Sequence, residues 1–328
     1  AGSLELEFTE RKIRLDEKGR IRAIDKVEND LSHQMIEEFM LLANEAVADK
    51  LIRTRKVTIH RVHEKPDPVR LKDYREEVLS HNIPCGNLEK PAEVKKLLKR
   101  LDELPIGGAL KIGFLRSLMR ARYAVQSLGH YGLAKKEYAH FTSPIRRYAD
   151  LVVHRSLFEK TKFSRHAIKL TADHISVTER NSADAERDSR DVKLMAFLQA
   201  QLKSGKPERY KSLVTDVRGH GFFVDVLDLG MSGFVPLSIH EDDFYVFDQQ
   251  RARIRGRRNG LVIKLGDELE VENASVDEFK KRMDFRMTPV RSKRARKKSR
   301  RSTGEGAKGK QARRSRGAKK KGPSGQRR

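Results

Sequence analysis

The spacing of apolar residues changes several times along this chain. Leu4 to Phe8 alternates apolar with polar positions, and Lys12 to Ile24 sets two short runs about a Glu-Lys-Gly turn, which predicts a strand and then a hairpin. The period then becomes helical. Behind Ser32 or Asp30, either of which can cap a helix, Met35, Phe39, Leu42, Ala43 and Ala46 recur at helical spacing and predict a long helix with those residues as its buried stripe. Shorter helices follow over Lys72 to Ser80 and Ala92 to Leu101, with a loop around Pro84 to Asn87. Another is expected from Ala109 to Val125, where Leu110, Phe114, Leu118 and Ala121 alternate with Lys111, Arg116, Arg120 and Arg122. Those basic residues fit either the wall of a nucleic-acid channel or a plain solvated face. Ser143-Pro144 reads as a helix start at about Pro144, with Ile145, Tyr148, Ala149 and Val152 on a packing face and Arg146, Asp150 and His154 on another. A charged helical stretch runs from Asp173 to Leu202 and ends at the Lys203 to Pro207 break. Beyond it the period shortens to two. Leu213 to Val217, Phe222 to Val226, Gly233 to Pro236, Leu261 to Ile263, Glu268 to Glu272 and Arg282 to Met287 read as short strands divided by Gly and Asp, the pattern of a five-stranded barrel.

Composition adds a tail and a partner class. With 328 residues, 37% of them hydrophobic, there is material for two cores. No apolar run approaches the ~20 residues that span a bilayer, so no membrane partner is expected. The lone cysteine, Cys85, excludes an internal disulfide and fits a reducing, cytoplasmic setting. The net charge is +25, and residues 291 to 328, with 18 Lys or Arg and one acid, carry +17 of it. That imbalance points to a polyanion. From about Pro289 the chain has almost no apolar residues and is expected to be disordered. The chain opens AGSLELEF without an initiator Met and reads as the continuation of something longer.

The candidate chemistry centres on residues 138 to 155. A helix start offers free amides and a positive dipole end to an anion, and Arg146 and Arg147 offer forked donors that match phosphate oxygens. The plainer reading is an i,i+4 pair of Arg146 with Asp150. The sequence GHYGL at 129 to 133, then YAHFTSPIRRYADLVVHR at 138 to 155, resembles the signature of the RNB family of 3′-to-5′ exoribonucleases. Tyr131 stands where that pattern has Phe, and Ala149 where Pro is common.

The resemblance implies roles for several residues. Arg146 becomes the catalytic phosphate clamp, and Tyr138, His140, Ser143 and Arg147 become RNA-binding members of the signature. IEEFMLLANEAVA resembles the family helix whose first Glu reads the ribose 2′-hydroxyl, which carries over to Glu37, and AERD at 185 to 188 carries a catalytic role to Glu186. On sequence pattern alone both are solvated helix positions. His60 and His63 lie in a segment resembling the family's YRVHEPPDP and read as structural, since no further metal ligand follows nearby. YKSLVTDVRGHGFFVDVLDLGMSGFVPLS resembles the OB-fold repeat first named from ribosomal protein S-one, in which aromatics stack bases. That implies RNA contacts by Phe223, its neighbour Phe222 and His220, although strand alternation sends one of the two phenylalanines to the core. Pro236 departs from the repeat, which commonly has His there. The acid-rich stretch His240 to Asp248 reads as a solvated loop in preference to a metal site.

The expected architecture is therefore α+β: the C-terminal part of an RNB catalytic domain (1–205), a five-stranded OB-fold barrel (206–288) and a disordered Lys/Arg-rich tail (289–328). Polybasic tails occur in the ribonuclease R branch of the family. The implied activity is processive hydrolysis of single-stranded RNA, ribosomal or messenger RNA among the candidates, to 5′-mononucleotides with Mg²⁺, by a protein that is monomeric when full length. The family's metal ligands, an aspartate cluster of the G-D-x-x-x-x-D-x-D-D type near the start of the catalytic domain, have no counterpart in this sequence, nor do its cold-shock-like domains. Two readings stay open: a portion of an active exoribonuclease whose Mg²⁺ ligands lie upstream, or a standalone RNA-binding protein that uses the barrel and tail.

Overall fold

A computed structural model describes residues 4, 10–27, 29–159, 163–240, 243–249 and 253–288. Most of the strand expected over Leu4 to Phe8, and the basic tail expected to be disordered, lie outside the described residues.

Strands β1 (Arg11–Leu15) and β2 (Ile21–Lys26) form the expected hairpin. Its turn is held by the Asp16 carboxylate, which accepts from the Lys18 and Arg20 amides at 2.9 and 2.8 Å, and Gly19 supplies the left-handed residue at φ +70°. Helix α1 (Leu31–Arg53) is capped by Asp30, which accepts from the His33 amide at 2.9 Å. Proline begins both α2 (Pro68–Ser80) and α3 (Pro91–Asp102), where its missing N–H costs nothing. With α4 (Gly107–Ser117) these helices enclose Leu71, Val78, Leu97, Leu110 and Phe114. Helix α4 is shorter than expected. It ends at Ser117, and Arg122–Ala124 instead forms strand β4, antiparallel to β3 (His60–Val62).

Helix α5 (Tyr148–Phe158) and the first turns of α6 (Arg165–Ser204) cover that pair through Ile59, Tyr123, Val152, Ile168 and Ile175. Helix α6 is a 40-residue strut. Its positions 181–189 are all exposed, while Leu194, Met195 and Leu198 near its end enter the core of the barrel. Gly205, at φ +67°, closes it inside the break that the sequence marks.

The barrel is closed by β5 (Arg209–Arg218), β6 (Gly221–Val226), β7 (Met231–Pro236), β11 (Glu268–Asp277) and β12 (Arg282–Met287), in the order β11-β12-β7-β6-β5. Gly233 is required by packing, because a Cβ there would lie 2.3 Å from the Phe285 ring. The five expected strands are thus present, with one correction. The segment expected as a strand at Leu261 to Ile263 supplies β10 (Val262–Lys264) of a separate three-stranded sheet with β8 (Tyr245–Asp248) and β9 (Arg253–Gly256). The stretch expected to be a solvated loop therefore includes a strand, and its Asp243 is buried, accepting from the Phe244, Arg258 and Asn259 amides.

The α1 stripe is the second correction. Asn44, Ala48 and Leu51 are its buried residues, whereas Met35, Phe39 and Leu42 are more than half exposed.

Candidate nucleic-acid interface

Helix α5 does not begin at Pro144. Residues 143–147 form a turn in which the Arg146 and Arg147 amides donate to the Ser143 carbonyl at 3.3 and 3.1 Å. Arg147 is then extended (φ −128°, ψ 116°), and the helix starts at Tyr148. The cause is Asp150. Its carboxylate, fully buried in the first turn of α5, accepts from the Ser143 amide at 2.8 Å and from Arg147 Nε and Nη2 at 2.9 Å each. A bidentate, charge-assisted pair holds the turn shut where an unpaired buried carboxylate would be costly. Two sequence readings change as a result. Asp150 takes Arg147, not Arg146, and Arg147 spends its fork on that carboxylate. Arg146 stands exposed, with no hydrogen bond or ion pair to any described residue.

A ladder of rings lies beneath the turn. Centroid separations run from His63 to His130 (5.1 Å), His130 to Tyr138 (5.4 Å), Tyr138 to His140 (5.8 Å) and His140 to Tyr123 (5.7 Å). Asn44 of α1 ties this ladder to the signature, donating to the Tyr138 hydroxyl at 3.0 Å and accepting from the Phe141 amide at 2.9 Å. Tyr138 is therefore buried, and burial raises its pKa. Burial pushes His60 and His130 down to about 4; burial first, then the positive charges of Arg147 and Arg61, pushes His140 to about 3. The histidines are neutral near pH 7. His60 and His63 are buried, as a structural reading requires. Arg61, which sequence reasoning missed, lies 4.7 Å over the Tyr123 ring and pairs with Glu179 of α6 at 2.5 Å. Nothing in its local pattern distinguishes it from a surface arginine.

The two carried-over glutamates sit on different elements. Glu37 is exposed on α1, two helical turns before Asn44 and on the same side. Glu186 is exposed on the bare middle of α6, and the structure gives it no contact with Arg146.

The barrel carries a second site. Phe222 is fully buried in the barrel core, so its side chain offers no face to a base. Phe223 points outward and opposes Phe234 of β7, their rings 4.9 Å apart. His220 lies 5.2 Å from the Phe234 ring. The Arg218 guanidinium stands 5.0 Å from the Phe223 ring and that of Arg282 stands 5.5 Å from Phe234. These side chains, with Lys281 and Met283, line a cleft of about 310 Å³. Phe234 and the two arginines were missed, although the alternation that sends Phe222 inward also puts the residue paired with Phe223 on the outer face. Pro236 is buried opposite Gly221 and takes no part.

The residues present do not fit a magnesium site. Among the described residues no group of three or more His, Cys, Asp or Glu is placed to hold a metal ion, and the buried Asp150 already accepts from Ser143 and Arg147. Nor is any helix of the described residues long and apolar enough to cross a membrane.

Comparison with known proteins accords with this geometry. Residues 1–161 match the RNB domain and residues 203–288 the S1 RNA binding domain. Ribonuclease R of Thermotoga maritima is 35% identical over 302 residues, and that of Aquifex aeolicus 33% over 299; the matches cover 86% and 87% of this chain but 41% of each relative. The chain thus spans about two-fifths of the length of these relatives. The structure of Mycoplasma genitalium RNase R in complex with ribose methylated single-stranded RNA superposes with a TM-score of 0.76 at 28% identity, covering 88% of this chain and 46% of that one. On the strength of both domain matches and of relatives alike along most of its length, the chain belongs to the RNB family of ribonucleases.

Proposed function

We propose that this chain is the RNA-handling portion of a ribonuclease R-like enzyme that degrades single-stranded RNA from its 3′ end to 5′-mononucleotides in the cytoplasm. The observation that carries the reading is the turn 143–147. A buried carboxylate fixes it, and Arg146 is left exposed without a protein partner. A guanidinium held on a fixed turn is prepaid for a phosphate, because little conformational freedom remains to be lost on binding. Glu37 is suited to accept from a ribose 2′-hydroxyl, and the Phe223–Phe234 pair, flanked by Arg218 and Arg282, to stack an incoming strand. The magnesium that such hydrolysis needs would be held by carboxylates outside this chain, since the residues here do not fit it.

A second reading, a non-catalytic RNA-binding protein, is favoured by the same lack of a carboxylate cluster. The test is the chain alone with magnesium and an end-labelled single strand. Binding without release of mononucleotides is expected, and extending the chain with an upstream RNB segment that bears the aspartates should restore 3′-to-5′ degradation. EDTA and Arg146→Ala controls exclude a contaminating nuclease. Robust degradation by the isolated chain, abolished by Arg146→Ala, would show that the metal site is misplaced here. An extended chain that binds but never cleaves would leave the second reading.

A further inference from the structure

Helix α1 is apolar on two opposite sides. Asn44, Ala48 and Leu51 lie on the inner side, against Ala139, Val153 and the Tyr138 hydroxyl. At about 100° per residue, Leu31, Met35, Phe39 and Leu42 fall roughly 180° away. These four are 80, 52, 61 and 61% exposed, and Ile36 and Met40 widen the stripe. Every residue from 31 to 40 is exposed. A helix apolar on both sides belongs between two layers, and six large apolar side chains exposed within three turns exceed the scattered singles of an ordinary surface.

The occupant can be argued. The tail from 291 to 328 has alanine as its only aliphatic residue and cannot fill a stripe sized for Leu, Met and Phe. More than half of each matched relative has no counterpart in this chain, and the RNB domain is the part of those relatives to which α1 belongs. We propose that the outer stripe of α1 is the docking face for the upstream portion of the RNB domain, the portion that carries the aspartate cluster, whether that portion is joined to this chain or separate. This rests on the reading given above for its catalytic meaning, though not for its geometry. Seating the stripe fixes the unpacked first half of α1 and with it Glu37, which lies toward the signature side.

The test uses the full chain with Cys85→Ser and Phe39→Cys, so that one thiol reports the stripe. The partner is the portion of Thermotoga maritima ribonuclease R preceding its matched region, co-expressed or fused ahead of residue 1. The thiol at position 39 should react in the chain alone and lose its reactivity in the complex or folded fusion, while a thiol placed by Phe279→Cys, at a fully exposed barrel position, keeps its own. Phe39→Glu with Leu42→Glu should abolish co-purification, and Phe279→Glu should not. Unchanged labelling at position 39 in a folded fusion overturns the proposal, as does protection in the chain alone, which would make the occupant a second copy. A complex that protects position 39 yet releases no mononucleotides keeps the docking face and ends the exoribonuclease reading. An active complex with a reactive thiol at position 39 ends the docking face alone.

Discussion

Phe222 and Phe223 are neighbours in sequence and opposites in environment. The first is sealed in the barrel core and the second meets Phe234 on the outer wall, so the same substitution should act on different observables. Phe223→Ala should weaken single-strand binding by about 1–3 kcal/mol with the melting temperature nearly unchanged. Phe222→Ala should instead lower stability by about 3–5 kcal/mol, read by thermal or denaturant unfolding. Equal effects of the two on binding would place no base on this wall. Arg146→Lys in an extended, active version should cut turnover more than binding, because an ammonium lacks the fork that orients a phosphate; equal turnover would remove the clamp. The ring ladder makes a prediction about acid. The folded protein holds His60 and His130 near 4 and His140 near 3, whereas the unfolded chain titrates near the ordinary 6.5. In that window the unfolded state binds more protons, so stability is full above about pH 6.5 and falls as the pH drops toward 4, by up to about 1.4 kcal/mol per pH unit for each histidine. Urea midpoints that stay level from pH 7 to pH 5 would contradict this burial.

At the scale of the element, the start of α5 shows what local pattern can and cannot carry. Ser143-Pro144 has the chemistry of a helix start, and the structure overrides it because Asp150, one turn inside the helix, reaches back for the Ser143 amide and the Arg147 fork. That contact is tertiary, and no propensity encodes it. Asp150→Asn should therefore leave a half-buried guanidinium without its carboxylate, destabilise the chain by about 3–5 kcal/mol and loosen the presentation of Arg146. Unfolding together with RNA binding would measure both, and a variant as stable as the parent would make the pair incidental. The hairpin, α2, α3 and the barrel strands were legible because each is set by its own residues: Asp16 and Gly19 at a turn, Pro at a first helical position, strict alternation in β6. The burial of α1 was not legible. Met35, Phe39 and Leu42 have the spacing of a core stripe, but periodicity records which residues seek a partner and not whether the partner is in the chain. The Phe223–Phe234 pair was half legible, because alternation gives the outer face of one strand while register across β6 and β7 supplies its opposite member.

At the scale of the whole molecule, charge and sites are distributed unevenly. The candidate phosphate turn and the aromatic wall sit on separate units joined by α6, whose end is built into the barrel core through Leu194, Met195 and Leu198, so the two are mounted on one continuous strut. Most of the net charge lies elsewhere, in residues 291–328, which hold +17 of +25. If that segment meets RNA, it does so as counterion-releasing cations, and its contribution must depend on salt more steeply than stacking on Phe223, which releases none. The full chain should bind a single strand with a logarithmic salt slope of about −0.7 for each phosphate neutralised, and a version ending at Val290 should show a clearly flatter slope. The Phe223→Ala version, by contrast, should lose affinity at every salt concentration by a similar factor and keep its slope. Binding isotherms between low and physiological salt separate the two contributions: a slope unmoved by removing 291–328 would show that the segment does not touch RNA, whatever its charge.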